Sequence, residues 1–222
     1  AATEGFAEDY AFLIQALLDL HEAAFDVRWL QWALRLQTTM DARFWDDVRG
    51  GYFNSQADDP NIVLRLKEDY DGAEPAASSV AALNLCRLGT ILDAEPEATT
   101  GYRARGRRCV AAFQSQLAQT PHALPQLLCA LELVLDSPRH VVLAGNPGAA
   151  DFQALLAVLH EGLSRRRAVI AADGGAGQIW LSATAPWLAA MAPIDGHAAA
   201  YVCEDFACQS PVTEPDQLRT LL

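Results

Sequence analysis

The first part of the chain repeats apolar side chains at three- and four-residue intervals, the spacing of an amphipathic helix. Leu13 and Leu17 follow this spacing within a pattern that predicts a helix over 9–25. After a break at Asp26, the same pattern predicts a second helix that ends at about Phe44. Two helices joined by so short a connection pack antiparallel. The sequence therefore predicts a mainly α-helical fold that begins with an antiparallel helix hairpin.

A charged loop leads directly into a third predicted helix within residues 64–92. The segment LRLKEDYDG places Lys67, Glu68, Asp69 and Asp71 close together, and Glu74-Pro75 then favours a helix start because proline suits the first helical turn. Small residues and regularly spaced apolar ones continue from there and predict a buried helix. We take this segment as the candidate functional site.

Glu74 has two interpretations at this helix start. Unpaired backbone N–H groups at a helix N-terminus favour an ionised carboxylate. The side chain is therefore either a structural anion or one that faces a ligand. Charged loops before helices are usually solvated, so the structural interpretation stands beside the functional one.

Two further helices are predicted over 100–118 and 124–135, the first with its arginines directed toward water. The connection over 45–74 is long for a compact domain, and loops of that length tend to be functional or disordered. Its aromatic and charged residues favour an ordered loop. Residues 1–137 are accordingly predicted to form one helical domain.

The pattern changes after Arg139, where short β-branched runs replace helical spacing. HVVLAG and AVIAADG read as strands on either side of a helix over 151–163, so the two strands are expected to be parallel. A third strand is predicted over 198–203, and a closing helix over 215–222 with a cap at or near Thr213. Residues 138–222 are thus predicted to be a small α/β segment with a short parallel sheet, packed on the helices.

Charge and hydropathy exclude two classes of partner. The 222 residues include 16 basic and 28 acidic side chains, for a net charge of −12. Such a surface repels nucleic acid and anionic lipid. No apolar run reaches the length that crosses a bilayer. We expect neither nucleic acid nor a membrane as a partner.

Five scattered cysteines do not resemble the dense, even framework of a small secreted domain. A reducing compartment, and hence a cytoplasmic location, is the expectation. Cys203 and Cys208 lack the CxxC spacing of metal and redox motifs, and buried thiols are the favoured interpretation, although a bond between them stays open. Cys86, Cys109 and Cys129 fall on apolar helix faces and are expected in the core.

No cofactor or metal is expected from the motifs. Gly145-Asn146-Pro147-Gly148 lies between a predicted strand and a helix, where phosphate-binding loops occur. It lacks the spacing of dinucleotide- and nucleotide-binding loops, so a plain turn is the favoured interpretation.

Four ordered motifs carry a family resemblance. They are GFAEDYAFLIQALLDLHEA over 5–23, FWDDVRGGYF over 44–53, the whole 64–92 segment, and AYVCEDFACQSPVTEPDQL over 200–218. Together they resemble the C-terminal region of the spermatogenesis-associated protein 20 family, and the similarity runs through nearly the whole chain. That resemblance implies part of an (α/α)6 toroid of the six-hairpin glycosidase type, related in shape to sugar 2-epimerases.

The resemblance also implies an upstream thioredoxin-like domain, which this chain does not include, and no CxxC is present. Toroids of this type bring long connections to the mouth of a central cavity. This implies catalytic roles for Asp69, Asp71, Glu74 and Asp9. The implied substrate-binding residues are Tyr10, Phe53, Arg65, Lys67 and Ser78.

Two functions are compatible with these residues. Sugar-directed chemistry needs one group that donates a proton and another that accepts one or holds negative charge, and paired carboxylates supply both. A sugar would then be the ligand. Alternatively, the region is a non-catalytic scaffold whose acids are hydrogen-bonded caps, and its partners are the upstream thioredoxin-like domain or the remaining toroid helices.

Overall fold

The computed structural model describes residues 5–57, 59–93, 99–137, 139–162, 167–204 and 207–222. Its helices are α1 (Ala7–Ala24), α2 (Val27–Phe44), α3 (Ala77–Leu92), α4 (Tyr102–Ala111), α5 (Gln114–Gln119), α6 (Pro125–Leu135), α7 (Ala150–His160), α8 (Ala176–Ser182) and α9 (Pro215–Leu221). The strands are β1 (Arg139–Ala144), β2 (Arg167–Ala172), β3 (Ala199–Glu204) and β4 (Ala207–Cys208), and short 3₁₀ turns cover Pro121–Ala123 and Pro186–Ala190. The fold is mainly helical, with a small sheet near the end; the toroid stays a prediction.

Internal contacts divide the chain into two compact units. The first contains α1 to α6, except for the end of α3 from Thr90 onward. The second contains that end of α3 and the residues from Asp136 onward, including the whole sheet.

The predicted α1–α2 hairpin is confirmed. Each helix buries one apolar stripe, which includes Ile14 and Leu17 on α1 and Leu30 and Met40 on α2. The Asp26 carboxylate accepts a hydrogen bond from the Arg28 N–H at 2.9 Å and so caps the start of α2. The Tyr10 and Phe44 rings lie 5.7 Å apart, so the beginning of one helix packs beside the end of the other.

Helix α3 is buried along most of its length, as its small and apolar residues predict. It packs closely against α4, because a Cβ atom at Gly106 would lie only 2.9 Å from the Cys86 sulfur. Glycine permits that approach, and both Cys86 and Cys109 are buried, as predicted.

Three helical predictions need correction. Helix α3 begins at Ala77 rather than at Glu74-Pro75. The predicted helix over 100–118 is broken where Phe113 leaves helical geometry (φ −110°, ψ 17°) and buries its ring. Arg103 does not face water; it is 6% exposed and donates a 2.8 Å hydrogen bond to the Leu133 carbonyl of α6.

The sheet has the strand order β2-β1-β3-β4 and is mixed rather than parallel. Strands β1 and β2 are parallel, as expected for the strand–helix–strand pattern. Strand β3 pairs antiparallel with β1, and β4 pairs antiparallel with β3. The closing helix α9 was predicted to be capped by Thr213 or a neighbour; the N-cap residue is the neighbouring Glu214, and its side chain makes no capping hydrogen bond.

Cys203 and Cys208 are joined by a disulfide, which corrects the favoured interpretation of two buried thiols. The two residues are direct partners in the β3–β4 register, a relation that sequence separation alone does not reveal. Cys129 is half-buried rather than fully in the core.

Within the described residues, no helix is both long and apolar enough to cross a membrane.

Candidate functional site

Asn54 connects the loop after α2 to the start of α1. Its carbonyl accepts a hydrogen bond from the Ala7 N–H at 3.2 Å, and its own N–H donates to the Leu66 carbonyl at 2.9 Å. Its side-chain oxygen accepts a longer, 3.4 Å bond from the Glu68 N–H. These contacts bring the acidic loop predicted from the sequence beside the first turn of α1.

The junction concentrates negative charge around Glu8. This half-buried carboxyl has a raised pKa because burial disfavours its ionised form and because Glu74, Asp9 and Glu68 add repulsion. Neighbouring carboxyl groups in unequal environments are the arrangement that separates a proton donor from a proton acceptor. We call Glu8, Asp9, Glu68 and Glu74 the acidic face.

Three of the predicted catalytic acids are exposed: Asp9, Asp69 and Glu74. Asp9 also serves α1 directly, since its carboxylate accepts the Phe6 N–H at 2.8 Å. Asp9 and Glu74 each repel the ionised form of Glu8, which is why both are assigned to the acidic face. The predicted wall residue Tyr10 is half-buried.

Asp71 has a different environment from the other acids. It is 6% exposed, and one oxygen accepts the Ala76 N–H at 2.9 Å. The other oxygen accepts the Gln126 and Leu127 N–H groups at 2.9 and 3.2 Å. Asp71 therefore binds the chain just before α3 and the first turn of α6 together, and it holds the anionic position that the sequence assigned to Glu74.

Lys67 and Asp46 form an enclosed ion pair at 2.6 Å, with 15% and 11% of their side chains exposed. The ammonium group also donates to the Gly50 carbonyl at 2.5 Å. Burial opposes ionisation of Asp46, but Lys67 and the N–H groups of Arg49 and Val48 outweigh it and lower the pKa of Asp46 to about 2. The pair fixes the turn over 46–51 against the loop.

Two predicted binding residues, Arg65 and Lys67, place their cationic groups against the Phe53 ring. The Arg65 guanidinium carbon lies 4.1 Å from the ring centroid and the Lys67 nitrogen 4.8 Å from it. Arg65 also donates to the Ser55 and Arg43 carbonyls, at 2.9 and 3.1 Å. The cationic groups of Arg65 and Lys67 thus interact with other residues of the protein and stabilise the loop.

Ser78 is 2% exposed and pairs with the backbone of Tyr52. Its hydroxyl accepts the Tyr52 N–H at 2.9 Å and donates to the Tyr52 carbonyl at 3.1 Å. This predicted binding residue therefore connects α3 to the loop. Its hydroxyl bonds the Tyr52 backbone rather than a residue of the acidic face.

A buried polar network around Asp41 was not predicted. Its carboxylate accepts from Tyr52 at 2.5 Å and from Gln37 at 2.8 Å, and it pairs with Arg105. Burial raises the pKa of Asp41 despite these donors. The network joins α2, α4 and the turn segment.

Partial sequence signals exist for the residues that were not predicted. Glu8 was recognisable as a helix first-turn acid, but its burial follows from the distant loop that Asn54 attaches. Asp41 is a single acid on an amphipathic helix, and nothing in its neighbours identifies the partner Arg105. Among the described residues, no group of three or more His, Cys, Asp and Glu side chains is suited to hold a metal ion.

The second unit contains a cavity of about 480 Å³ at the end of β2. Its lining includes Asp173, Gln178, Ile179, Ser182, Met191 and Pro193. Gln178 stabilises the wall of this cavity, since its side-chain amide donates hydrogen bonds to the Leu188 and Met191 carbonyls at 2.8 and 3.0 Å. The cavity contains none of the residues predicted to form the site.

No family model matches the chain. Curated proteins do: spermatogenesis-associated protein 20 of Homo sapiens is 41% identical over 222 residues, and that of Mus musculus is 40% identical. An uncharacterized protein of Caenorhabditis elegans is 35% identical over 216 residues.

These alignments cover 98% of this chain but 27% of the human and mouse relatives, so the chain spans about a quarter of their length. The matched region is a C-terminal part of those relatives. Over nearly its whole length, the chain therefore belongs to the spermatogenesis-associated protein 20 family.

Proposed function

We propose that the acidic face binds a carbohydrate and performs acid–base chemistry on it. The observation that carries this proposal is the convergence of acids from two distant segments around the half-buried Glu8. Glu8 is assigned as the proton donor, because it is half-buried beside the acidic loop and both burial and its acidic neighbours disfavour its ionised form. Glu74 or Asp9 accepts a proton or stabilises positive charge that develops on the sugar.

Exposed aromatic rings accompany these acids and supply the apolar component of the site. Phe6 is 49% exposed and immediately precedes α1, and Tyr70 is 61% exposed within the acidic loop. Sugar rings present apolar C–H faces beside their hydroxyl groups. Aromatic surfaces and carboxylates together therefore match both parts of a sugar, the rings by contact and the acids by accepting hydroxyl hydrogen bonds.

A thermal-shift screen with hexoses, N-acetylhexosamines and their disaccharides tests the binding step. A ligand at ten times its Kd raises the free energy of unfolding by about 1.4 kcal/mol, or about 3–5 °C in Tm for a chain of this size. Glu74→Gln and Tyr70→Ala are expected to abolish the shift, whereas Asp47→Asn, an exposed acid outside the face, keeps it. Absence of any shift across the panel contradicts the proposal.

Glu8→Gln tests the chemical step. An amide cannot donate the proton, so conversion of a bound sugar, followed by proton NMR, is expected to fall by about 100-fold or more while the thermal shift remains. Unchanged turnover in this variant excludes Glu8 as the donor.

A partner-binding role is the second candidate, favoured by exposed apolar side chains on α1, at its N-cap and in the loop. Phe6, Leu13 and Leu20 recur every seven residues and are 49%, 41% and 45% exposed. Val63 and Leu64 are 103% and 71% exposed. A regular apolar stripe on a helix is the surface that another helix covers. The additional sequence of the longer relatives is the proposed partner, as further helices or an attached thioredoxin-like domain.

Mixing the chain with the separately produced remainder of the human relative tests this role. Size-exclusion chromatography is expected to show a one-to-one complex, which the Leu13→Glu/Leu20→Glu variant fails to form. Ile179→Glu, a 70% exposed apolar residue on α8, is the matched control and keeps binding. A complex that tolerates the double variant contradicts the use of this stripe.

A further inference from the structure

We propose that Cys203 and Cys208 form a reversible dithiol–disulfide pair whose reaction partner is a dithiol reductant, and that Cys208 is the sulfur it attacks. The disulfide joins direct register partners of β3 and β4. This site is separate from the acidic face, because it belongs to the second unit.

The two cysteines differ in their access to solvent. Cys203 is 1% exposed on β3, whereas Cys208 is exposed on β4, the strand at the edge of the sheet. Thiol–disulfide exchange requires a thiolate to reach one sulfur directly. The exposed edge makes Cys208 the accessible sulfur and leaves Cys203 as the buried leaving group.

The sheet has other bonds that hold β3 when the disulfide opens. On one side, β3 pairs with β1 along six residues. On the other side, the Gln209 N–H donates to the Val202 carbonyl at 2.9 Å, and Ala200 and Val212 exchange two bonds of 2.8 and 3.0 Å. The cysteines are five residues apart, and so short a loop restricts the unfolded chain less than a long one does. The unit therefore remains folded after reduction.

The reduction of the disulfide takes place in two exchange steps. A thiolate of the reductant attacks the Cys208 sulfur, the protein S–S bond breaks, and its electron pair goes to the Cys203 sulfur, which takes up a proton. The second thiol of the reductant then attacks the mixed disulfide, which releases Cys208 as a thiol and leaves the reductant as a cyclic disulfide. Two electrons and two protons pass to the protein, and a disulfide oxidant reverses the reaction.

Equilibration of the chain, purified without reductant, in dithiothreitol redox buffers tests the reversibility. After alkylation, the tryptic peptide over 168–219 is expected to gain two alkyl groups in one two-electron transition. Far-UV circular dichroism is expected to stay unchanged across that transition. Free thiols at both positions before any reductant is added, or reduction only together with unfolding, overturns the proposal.

Single-cysteine variants test the assignment of the attacked sulfur. In Cys203→Ser, the exposed Cys208 is expected to react with an aromatic disulfide at least about tenfold faster than Cys203 reacts in Cys208→Ser. Cys129→Ser removes a half-buried thiol elsewhere and is expected to leave the two-electron transition unchanged. Equal rates in the two variants overturn the role of Cys208, and circular dichroism of each variant confirms that folded protein is compared.

Discussion

At the scale of single residues, the carboxylates of the acidic loop and of the adjoining first turn of α1 have different roles. Asp71 is buried and accepts three backbone N–H groups, so its charge stabilises helix starts. Glu8 is half-buried among like charges, and its pKa is raised. Residue type does not distinguish the role of Asp71 from that of Glu8, but the number of hydrogen-bond donors around each carboxylate does.

Replacement of Asp71 by alanine is expected to lower the free energy of unfolding by about 2–4 kcal/mol, because three backbone donors lose their acceptor. Urea unfolding measures this change. The control is Asp69→Ala, an exposed neighbour, with an expected effect within about 0.5 kcal/mol. Equal effects of the two substitutions would show that Asp71 is not a structural acid.

Asp46 is expected to add an acid-sensitive contribution to stability. Its pKa falls from 3.8 to about 2 on folding, so the contribution is complete above the unfolded value and is lost as pH falls through about 2. Asp46→Asn is expected to reduce the urea midpoint at pH 7. The difference between variant and wild type should then shrink on acidification below about pH 4. A difference that is constant with pH contradicts the ion pair with Lys67.

At the scale of elements, close helix packing depends on one glycine. Gly106 of α4 faces Cys86 of α3, and an added Cβ would lie 2.9 Å from its sulfur. Both residues are buried, so neither helix can yield without loss of packing.

Gly106→Ala is expected to destabilise the first unit by about 1–3 kcal/mol through overpacking, despite the higher helix propensity of alanine. Cys86→Ala in the same chain removes the opposing sulfur and should restore part of the loss. A double-mutant cycle in urea measures this coupling. Additive effects of the two substitutions contradict the close contact.

The long helices α1, α2 and α3 were predictable from the sequence to within a few residues because their apolar spacing is regular, whereas the short α8 was not predicted. The break at Phe113 was not, since it depends on a buried ring rather than on local propensity. The parallel β1–β2 pair followed from the strand–helix–strand order. The antiparallel β3 did not, because three strands in sequence order leave its direction open.

At the scale of the whole molecule, the candidate site depends on contacts between distant segments. The sequence singled out the acidic loop and proposed Asp9 and Glu74 as site residues, and their catalytic roles stay predictions. Glu8, Asn54 and Asp41 were missed, because their environments depend on residues distant in sequence, such as Glu74 for Glu8 and Arg105 for Asp41. The resemblance of the motifs is confirmed by the relatives, whereas carbohydrate chemistry and the partner role remain proposals.

Chemical-shift mapping with a sugar that raises the Tm tests the central claim most directly. Titration into the ¹⁵N-labelled chain is expected to move the amide signals of residues 6–10 and 68–74 together, with one Kd. Signals confined to the cavity beside Asp173 and Met191, or no saturable change in the acidic face, would contradict the account.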